Sequence, residues 1–457
     1  MDYIKNPSKV QETIKVQSKI TAFFDKFNIG TLMNRYGIKK RHGHSIRSLT
    51  ETIFTLPFIG KNFYRGIVIN NDTNLDKDAA YNLLKGEKHN WRQLLLCLAY
   101  RLFKIFDPLT NEDRETVFII DDSPYDRSRS KWVELLSRVF DHSTGKYLRG
   151  FRLLTLCWSD GVSTLPLDFS LMSSANPENR FCESRKKMDH RCSAYKRRYE
   201  ATQKMTELLE VMVERALSTG ITARYLLMDS WFTMPVTVTK LAEHIHVIGM
   251  VKKSAKILYH FDSKRLPVTG IYRKLTKRRG RAKILAETIV KLKSGLPVKL
   301  VFVRDIRKSD WLVLQSTDTN LSGEEIVRIY GKRWDIEVFF KMSKQHLKLT
   351  KEIQCRDYDA LIAHTSIVFM RYMFLSYQCR METDHRTFGE LFYAHCDEIA
   401  DISFVEALFN LLTLAADKLK EVSTYCEKTA SAFFDSIMDF ALKSVGLSKI
   451  NCNMGTA

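Results

Sequence analysis

The chain has 457 residues, too many for one ordinary hydrophobic core, so two or three structural units are expected. Hydrophobic residues make up 45% of it, which excludes general disorder. Lysine and arginine outnumber aspartate and glutamate by 72 to 52, and the resulting +20 makes a polyanion the default partner without separating DNA from RNA or an anionic membrane.

From the start to about residue 105, apolar residues recur at three- and four-residue intervals, as in "KVQETIKVQSKITAFFDKFNI", and predict helices. The first residues lack the apolar core of a signal peptide, and no run of 18 apolar residues predicts a spanning helix. Lys39, Lys40, Arg41 and Arg47 form a basic cluster between helices, suited to a small DNA-reading domain, although no helix-turn-helix signature is clear enough to assign. Nine cysteines without CxxC pairs read as reduced thiols of a cytosolic protein. Cys182, His190 and Cys192 lie close in sequence, but their spacing fits no standard zinc site.

The pattern then changes to short β-rich runs. "TVFII" ends at Asp121 and Asp122, "FRLLTLCW" and "STLPLDFSLM" follow, and after a helical stretch "ARYLLMD" closes on Asp229. Strands first, then strands alternating with helices, predict a mixed-sheet α/β layer. Residues 252 to 321 read as a β-rich insertion with a basic run, "YRKLTKRRGRAK". Ser322 and Glu325 fit a capping box opening a helix, and residues 351–457 read as helical again.

The helix after that box contains "RIYGKRWDIEVFFKMSKQHLKL". With about 100° per residue, Tyr330, Arg333, Glu337, Lys341 and Lys344 fall within a stripe about 80° wide. One reading is a solvated face with Glu337 pairing Lys341; the other is a carboxylate held for a metal with cations and a phenol around a phosphate. Carboxylates at neighbouring strand ends converge on one sheet edge, where Asp121 or Asp122, Asp229 and Glu337 together can hold a pair of Mg²⁺ ions. Any one of these aspartates alone fits a turn or helix cap.

Tyr330-(2)-Arg333-(3)-Glu337-(6)-Lys344 matches the Y-(2)-R-(3)-E-(6)-K signature, and the chain resembles the DDE transposases of bacterial insertion sequences, in the insertion-sequence-four family. The resemblance covers roughly residues 115 to 350. It implies an RNase H-like mixed five-stranded sheet at 106–350, interrupted by the β-rich insertion at about 252–321. A helical DNA-end-binding region would precede it at 1–105, and a helical dimerisation region would follow at 351–457. Carried over by residue, Asp122, Asp229 and Glu337 become the metal ligands, with Asp121 as the alternative to Asp122. The "DS" pairing favours Asp122 and "DDS" favours Asp121. Tyr330, Arg333 and Lys344, with Lys341 on the same stripe, become phosphate contacts. Trp311 becomes a base-stacking residue, against which stands an ordinary sheet-core aromatic.

The implied activity is cut-and-paste transposition through a hairpin, with Mg²⁺ or Mn²⁺, cleaving transposon-end DNA with terminal inverted repeats and joining it to target DNA. A homodimer in a synaptic complex and a bacterial, nucleoid-associated location are implied as well. Alternatives are a non-catalytic transposase-derived DNA-binding protein and an RNase H-like DNA nuclease.

Overall fold

The computed structural model describes residues 13–455 except positions 17, 41, 143 and 281 and segments 70–76, 111–113, 185–187, 306–309, 383–385, 423–426 and 445–451. Arg41 of the basic cluster lies outside the described residues.

Thr13–Val16 (β1) precedes Lys19–Lys26 (α1), Ile29–Arg35 (α2), Ile46–Thr55 (α3), Lys77–Leu84 (α4) and Trp91–Phe106 (α5). Ser18, Ser45 and Asn90 cap α1, α3 and α5 with side-chain oxygens that accept from backbone N–H groups. Val117–Asp126 (β2), Ser137–Asp141 (β3), Lys146–Ser159 (β4) and Thr164–Met172 (β5) follow. Ser193–Ala201 (α6) and Met205–Ser218 (α7) then lead to Tyr225–Met228 (β6), Pro235–Leu241 (α8) and His246–Met250 (β7). The insertion contains Tyr259–Phe261 (β8), Lys264–Leu266 (β9), Val268–Lys274 (α9), Ile284–Lys291 (β10), Pro297–Asp305 (β11) and Asp310–Ser316 (β12). Gly323–Gly331 (α10), Trp334–Gln345 (α11), Tyr358–Met381 (α12), Phe388–Val422 (α13) and Glu427–Ser444 (α14) come next, and Cys452–Gly455 (β13) pairs antiparallel with β1.

Five strands in the order β5-β4-β2-β6-β7 form a mixed, RNase H-like core: β4 runs antiparallel to β2 and β5, while β2, β6 and β7 run parallel. The insertion does not stand apart from this core. β12 pairs antiparallel with β7, and β11, β10, β8 and β9 continue outward, so the sheet has eleven strands, with β3 alongside β4. The cause is the outer edge of β7, whose backbone groups need partners that β12 supplies.

β5 is buried along its whole length, and α12 crosses it. Tyr358 Oη donates to Leu171 O at 2.7 Å and Ser376 Oγ to Thr164 O at 2.9 Å, satisfying carbonyls near both ends of that strand. One continuous cluster of buried apolar side chains runs from Ile20 through the sheet to Ile399. Within it Arg371 of α12 forms a two-pronged ion pair with Glu352, at 2.6 and 2.8 Å, and also donates to Phe54 O and Leu347 O. The first helices, the end of α11 and α12 are thereby tied at one buried guanidinium. Among the described residues no helix is long and apolar enough to cross a membrane.

The helix expected to run unbroken through Arg328–Leu349 is two helices. At the junction Lys332 N–H donates to Ile329 O and Arg333 N–H to Tyr330 O, three-residue bonds that tighten the turn between α10 and α11. The capping box at Ser322 and Glu325 is formed. Bidentate pairing of Arg328 with Glu115 fastens α10 beside the start of β2, and Ser159 Oγ donates to Asp335 Oδ2 at 2.6 Å to fasten α11 beside the end of β4.

Candidate active site

Asp121 and Asp122 lie within β2, which continues to Asp126, so they do not end their strand as its sequence suggests. The strand end that matters belongs to the β2–β6 pair. Its parallel ladder stops at Ile120↔Met228, and the next residues on the two strands are Asp121 and Asp229. Residues at matching positions of paired strands share a face, so these carboxylates meet where β2 and β6 part.

Asp229 is held by its own turn: Oδ1 accepts from Trp231 N–H at 2.9 Å and Phe232 N–H at 3.3 Å, and Thr233 Oγ1 donates to its carbonyl at 2.6 Å. Thr233 in turn lies against Gly249 of β7, where an added Cβ would meet Thr233 Oγ1 at 2.2 Å. Glycine there permits the close approach that seats the loop.

Arg333 joins the third acid to the first. Its guanidinium donates to Asp121 Oδ2 at 2.9 Å and to Glu337 Oε1 at 2.6 Å. Glu337 therefore pairs with Arg333, not with Lys341 as a solvated face would have it. Asp122, which lines the same cavity as Asp121 and Asp229, pairs with Arg152, which also donates to Phe140 O at 2.8 Å. Alternation along a strand gives the two adjacent carboxylates different ion-pair partners.

Burial drives the Asp121 carboxyl up to about 7; Arg333 opposes the rise, while Asp229 and Asp122 add to it. Burial likewise raises Asp229, against its two backbone hydrogen bonds. The cluster is thus short of positive charge. All its donors are carboxylate oxygens, the chemistry of a hard divalent cation, so these residues fit such an ion.

Tyr330 Oη is buried without a hydrogen-bond partner, with the Arg333 guanidinium 5.9 Å from its ring centre. Lys344 Nζ donates to Ser123 Oγ at 2.5 Å, and burial lowers its pKa against the pull of Asp141 and Asp122. A cavity of about 540 Å³ is lined by Asp121, Asp122, Asp229, Arg152, Lys344 and His142, among others. Glu337 is not on its wall; Arg333 links it to Asp121, which is. Lys341 is exposed on α11.

Trp311 is on β12, in the insertion, and not on the wall of that cavity; it is stacked on Tyr272 at 4.4 Å with Phe302 at 5.5 Å and Lys253 Nζ 3.9 Å from its ring centre. Cys192 caps α6, its sulfur accepting from Tyr195 N–H, while Cys182 donates to Lys131 O. The sequence reading missed Arg152 and His142. The polar Arg152 between apolar neighbours in "FRLLTLCW" and the turn signal "STGK" before β4, with Gly145 at φ +67°, are the cues that would have found them.

Among the described residues, one set of three metal-ligating side chains has donor atoms all within 4.8 Å of one another: Glu210, Glu214 and His244. These belong to α7 and the segment after α8, are partly or fully exposed, and include none of the three acids discussed above. Asp121, Asp229 and Glu337 are more open, with a guanidinium between the first and the last.

Residues 70–290 match the model of the DDE superfamily endonucleases. The match supports a DDE transposase-type nuclease, a class that generally uses divalent metals. It takes in both aspartate-bearing strands, β2 and β6, and stops before Glu337, whose place in the site rests on its link through Arg333. No curated protein matches the chain.

Proposed function

We propose that the protein is a transposase of the insertion-sequence-four type that cleaves transposon ends and joins them to target DNA. The observation that carries this reading is the single constellation of Asp121, Asp229 and Glu337 with Arg333, Tyr330 and Lys344. A mere DNA-binding protein gains nothing from three carboxylates turned toward phosphate. Asp121 is preferred to Asp122 as the first metal ligand, reversing the choice made from sequence, because it shares a face with Asp229 and is linked to Glu337 by Arg333.

In this reading Asp121, Asp229 and Glu337 hold Mg²⁺ or Mn²⁺, as a pair of ions. When bound, the ions would lower the pKa of a water or 3′-hydroxyl and stabilise charge at phosphorus. The protein's own groups position the DNA. Arg333 offers a planar fork to a phosphate once its carboxylates are taken by metal, Lys344 a point charge, and Tyr330 an unused hydroxyl donor. The +20 charge draws end and target DNA nonspecifically. Pairing two ends would use a homodimer, Trp311 would receive a base in a hairpin intermediate, and Lys341 would add a phosphate contact at the helix surface.

The deciding experiment is a strand-transfer assay with DNA carrying the inverted repeats that flank the gene. A transposase gives nicks and joined product with Mg²⁺; a nuclease gives nicks alone, and a non-catalytic binder neither.

A further inference from the structure

Beyond the acidic cavity, a row of aromatic rings crosses the β3–β4 hairpin. Trp231, two residues past Asp229, is 49% exposed, and its ring centre lies 6.4 Å from that of His142 on the cavity wall. His142 meets Phe140 at 4.9 Å, and Phe140 meets Tyr147 at 5.0 Å. Tyr147 is 61% exposed, and the Arg138 guanidinium sits 3.8 Å from its ring centre. At the other end Lys252 Nζ lies 5.9 Å from the Trp231 ring. The rings are inclined to one another by 51° to 81°, so they touch by edges and tilts, not as a closed stack.

This row has a firm base. The hairpin is paired from Ser137↔Gly150 to Asp141↔Lys146, and Arg152, already bound to Asp122, grips Phe140 O. The same arginine therefore connects the cavity floor to the row. Exposed tryptophan and tyrosine bracketed by cations make little sense as a fold requirement, because both would gain by burial.

We propose that Trp231, His142, Phe140 and Tyr147 form a stacking track for an unpaired DNA strand leaving the acidic cavity. Bases lie against Trp231 and Tyr147, while Lys252 and Arg138 meet the phosphates. The proposal rests on the DNA-cleaving reading of the cavity and specifies the form of its substrate. A duplex hides its base faces within its own stack, whereas a single strand offers one per nucleotide, and aromatic rings accept any base. Cations at both ends of the row match the charge of the strand.

The test is binding by the full chain in EDTA, where no cleavage occurs. The probes are a fluorescent oligothymidylate and an arbitrary duplex of equal length. Trp231→Ala and Tyr147→Ala should each weaken single-strand binding about tenfold, and Trp231→Phe should restore most of that loss. Duplex binding should change less than about twofold. A 2-aminopurine base in the strand should be quenched by the parent protein and less by Trp231→Ala. Tyr147 lies on the exposed hairpin, so its variant guards against a folding artefact at Trp231. Unchanged single-strand affinity in both alanine variants overturns the track. Equal loss on both probes also overturns it, marking a general docking surface for duplex or protein. A parent that binds single strands through these residues yet never nicks DNA with Mg²⁺ would instead retire the DNA-cleaving reading and leave the track standing.

Discussion

Asp121 and Asp229 stand opposite each other, one residue beyond the last rung of the β2–β6 ladder. Two half-buried carboxylates at that fork are mutually repulsive without a cation, and Arg333 supplies only part of the compensation. This arrangement separates the roles of Asp121 and its neighbour. Asp121→Asn should lower nicking of supercoiled plasmid at least about a hundredfold, because the proposed metal site would lose a ligand. Asp122→Asn should cost about 1–3 kcal/mol in urea unfolding by weakening the pair with Arg152, while retaining measurable nicking. The opposite ranking in the plasmid assay would return the first ligand to Asp122.

Glu337 and Lys344 should separate in the same way. Glu337→Gln keeps shape and helix propensity but removes charge, so nicking should vanish while binding to end DNA holds or strengthens. Lys344→Ala should weaken end binding and flatten its salt dependence by about one phosphate contact. Gel-shift titration at several salt concentrations reads both; a Glu337→Gln protein nicking at the parent rate excludes this helix from catalysis.

Stability without metal should depend on pH through Asp121. Its carboxyl titrates at about 7 in the folded chain and near 3.9 unfolded, so between those values the folded state binds more protons. Its contribution is present below about pH 4 and is lost as pH rises toward about 7. Carboxylates held low, such as Glu115 and Glu134, act in the opposite sense at more acid pH, which leaves pH 5 to 8 as the window to observe. His89, His346 and His364, held low by burial, act in the opposite sense within that window, so the readout is a difference: in EDTA the parent's thermal midpoint should fall by a few degrees relative to that of Asp121→Asn between pH 5 and pH 8. Calorimetry at pH 5 and pH 8 decides; parallel curves for the two proteins would refute the assignment.

Glu352 faces the buried Arg371 and His364, and among the described residues no other carboxylate pairs with that guanidinium. Glu352→Ala should destabilise the chain by about 3–5 kcal/mol, since an uncompensated charge remains inside. Chemical unfolding followed by fluorescence measures this. A cost below about 1 kcal/mol would show that the backbone carbonyls around Arg371 suffice alone.

Much of this architecture was legible in the residues. Alternation and turn residues located most core strands, and the capping box at Ser322 opened α10 as read. What escaped is long-range pairing. No local pattern tells β12 to add to β7, and none shows that β2 leaves β6 at Ile120 while staying paired with β4 as far as Asp126. That divergence is what distinguishes Asp121 from Asp122, so two adjacent aspartates could not be ranked by sequence alone. The stripe on α10 and α11 survived a tightened turn because Lys332 and Arg333 keep right-handed backbone angles, and Arg333 still reaches Glu337 four residues on.

An eleven-stranded sheet raises a hazard of self-association, since any bare edge can recruit another chain. The two ends meet it differently. At β5, α12 covers the strand and fills carbonyl valences with Tyr358 and Ser376. At the far end the sheet tapers through β8, held to β10 by the single register pair Lys291↔His260, to β9, a three-residue strand carrying exposed Lys264 and Arg265. Shortness and like charge there repel a second copy. Trimming the β8–β9 hairpin to make a smaller protein would strip this charged tip from the margin and leave Lys291, the one β10 residue it pairs, without its ladder partner.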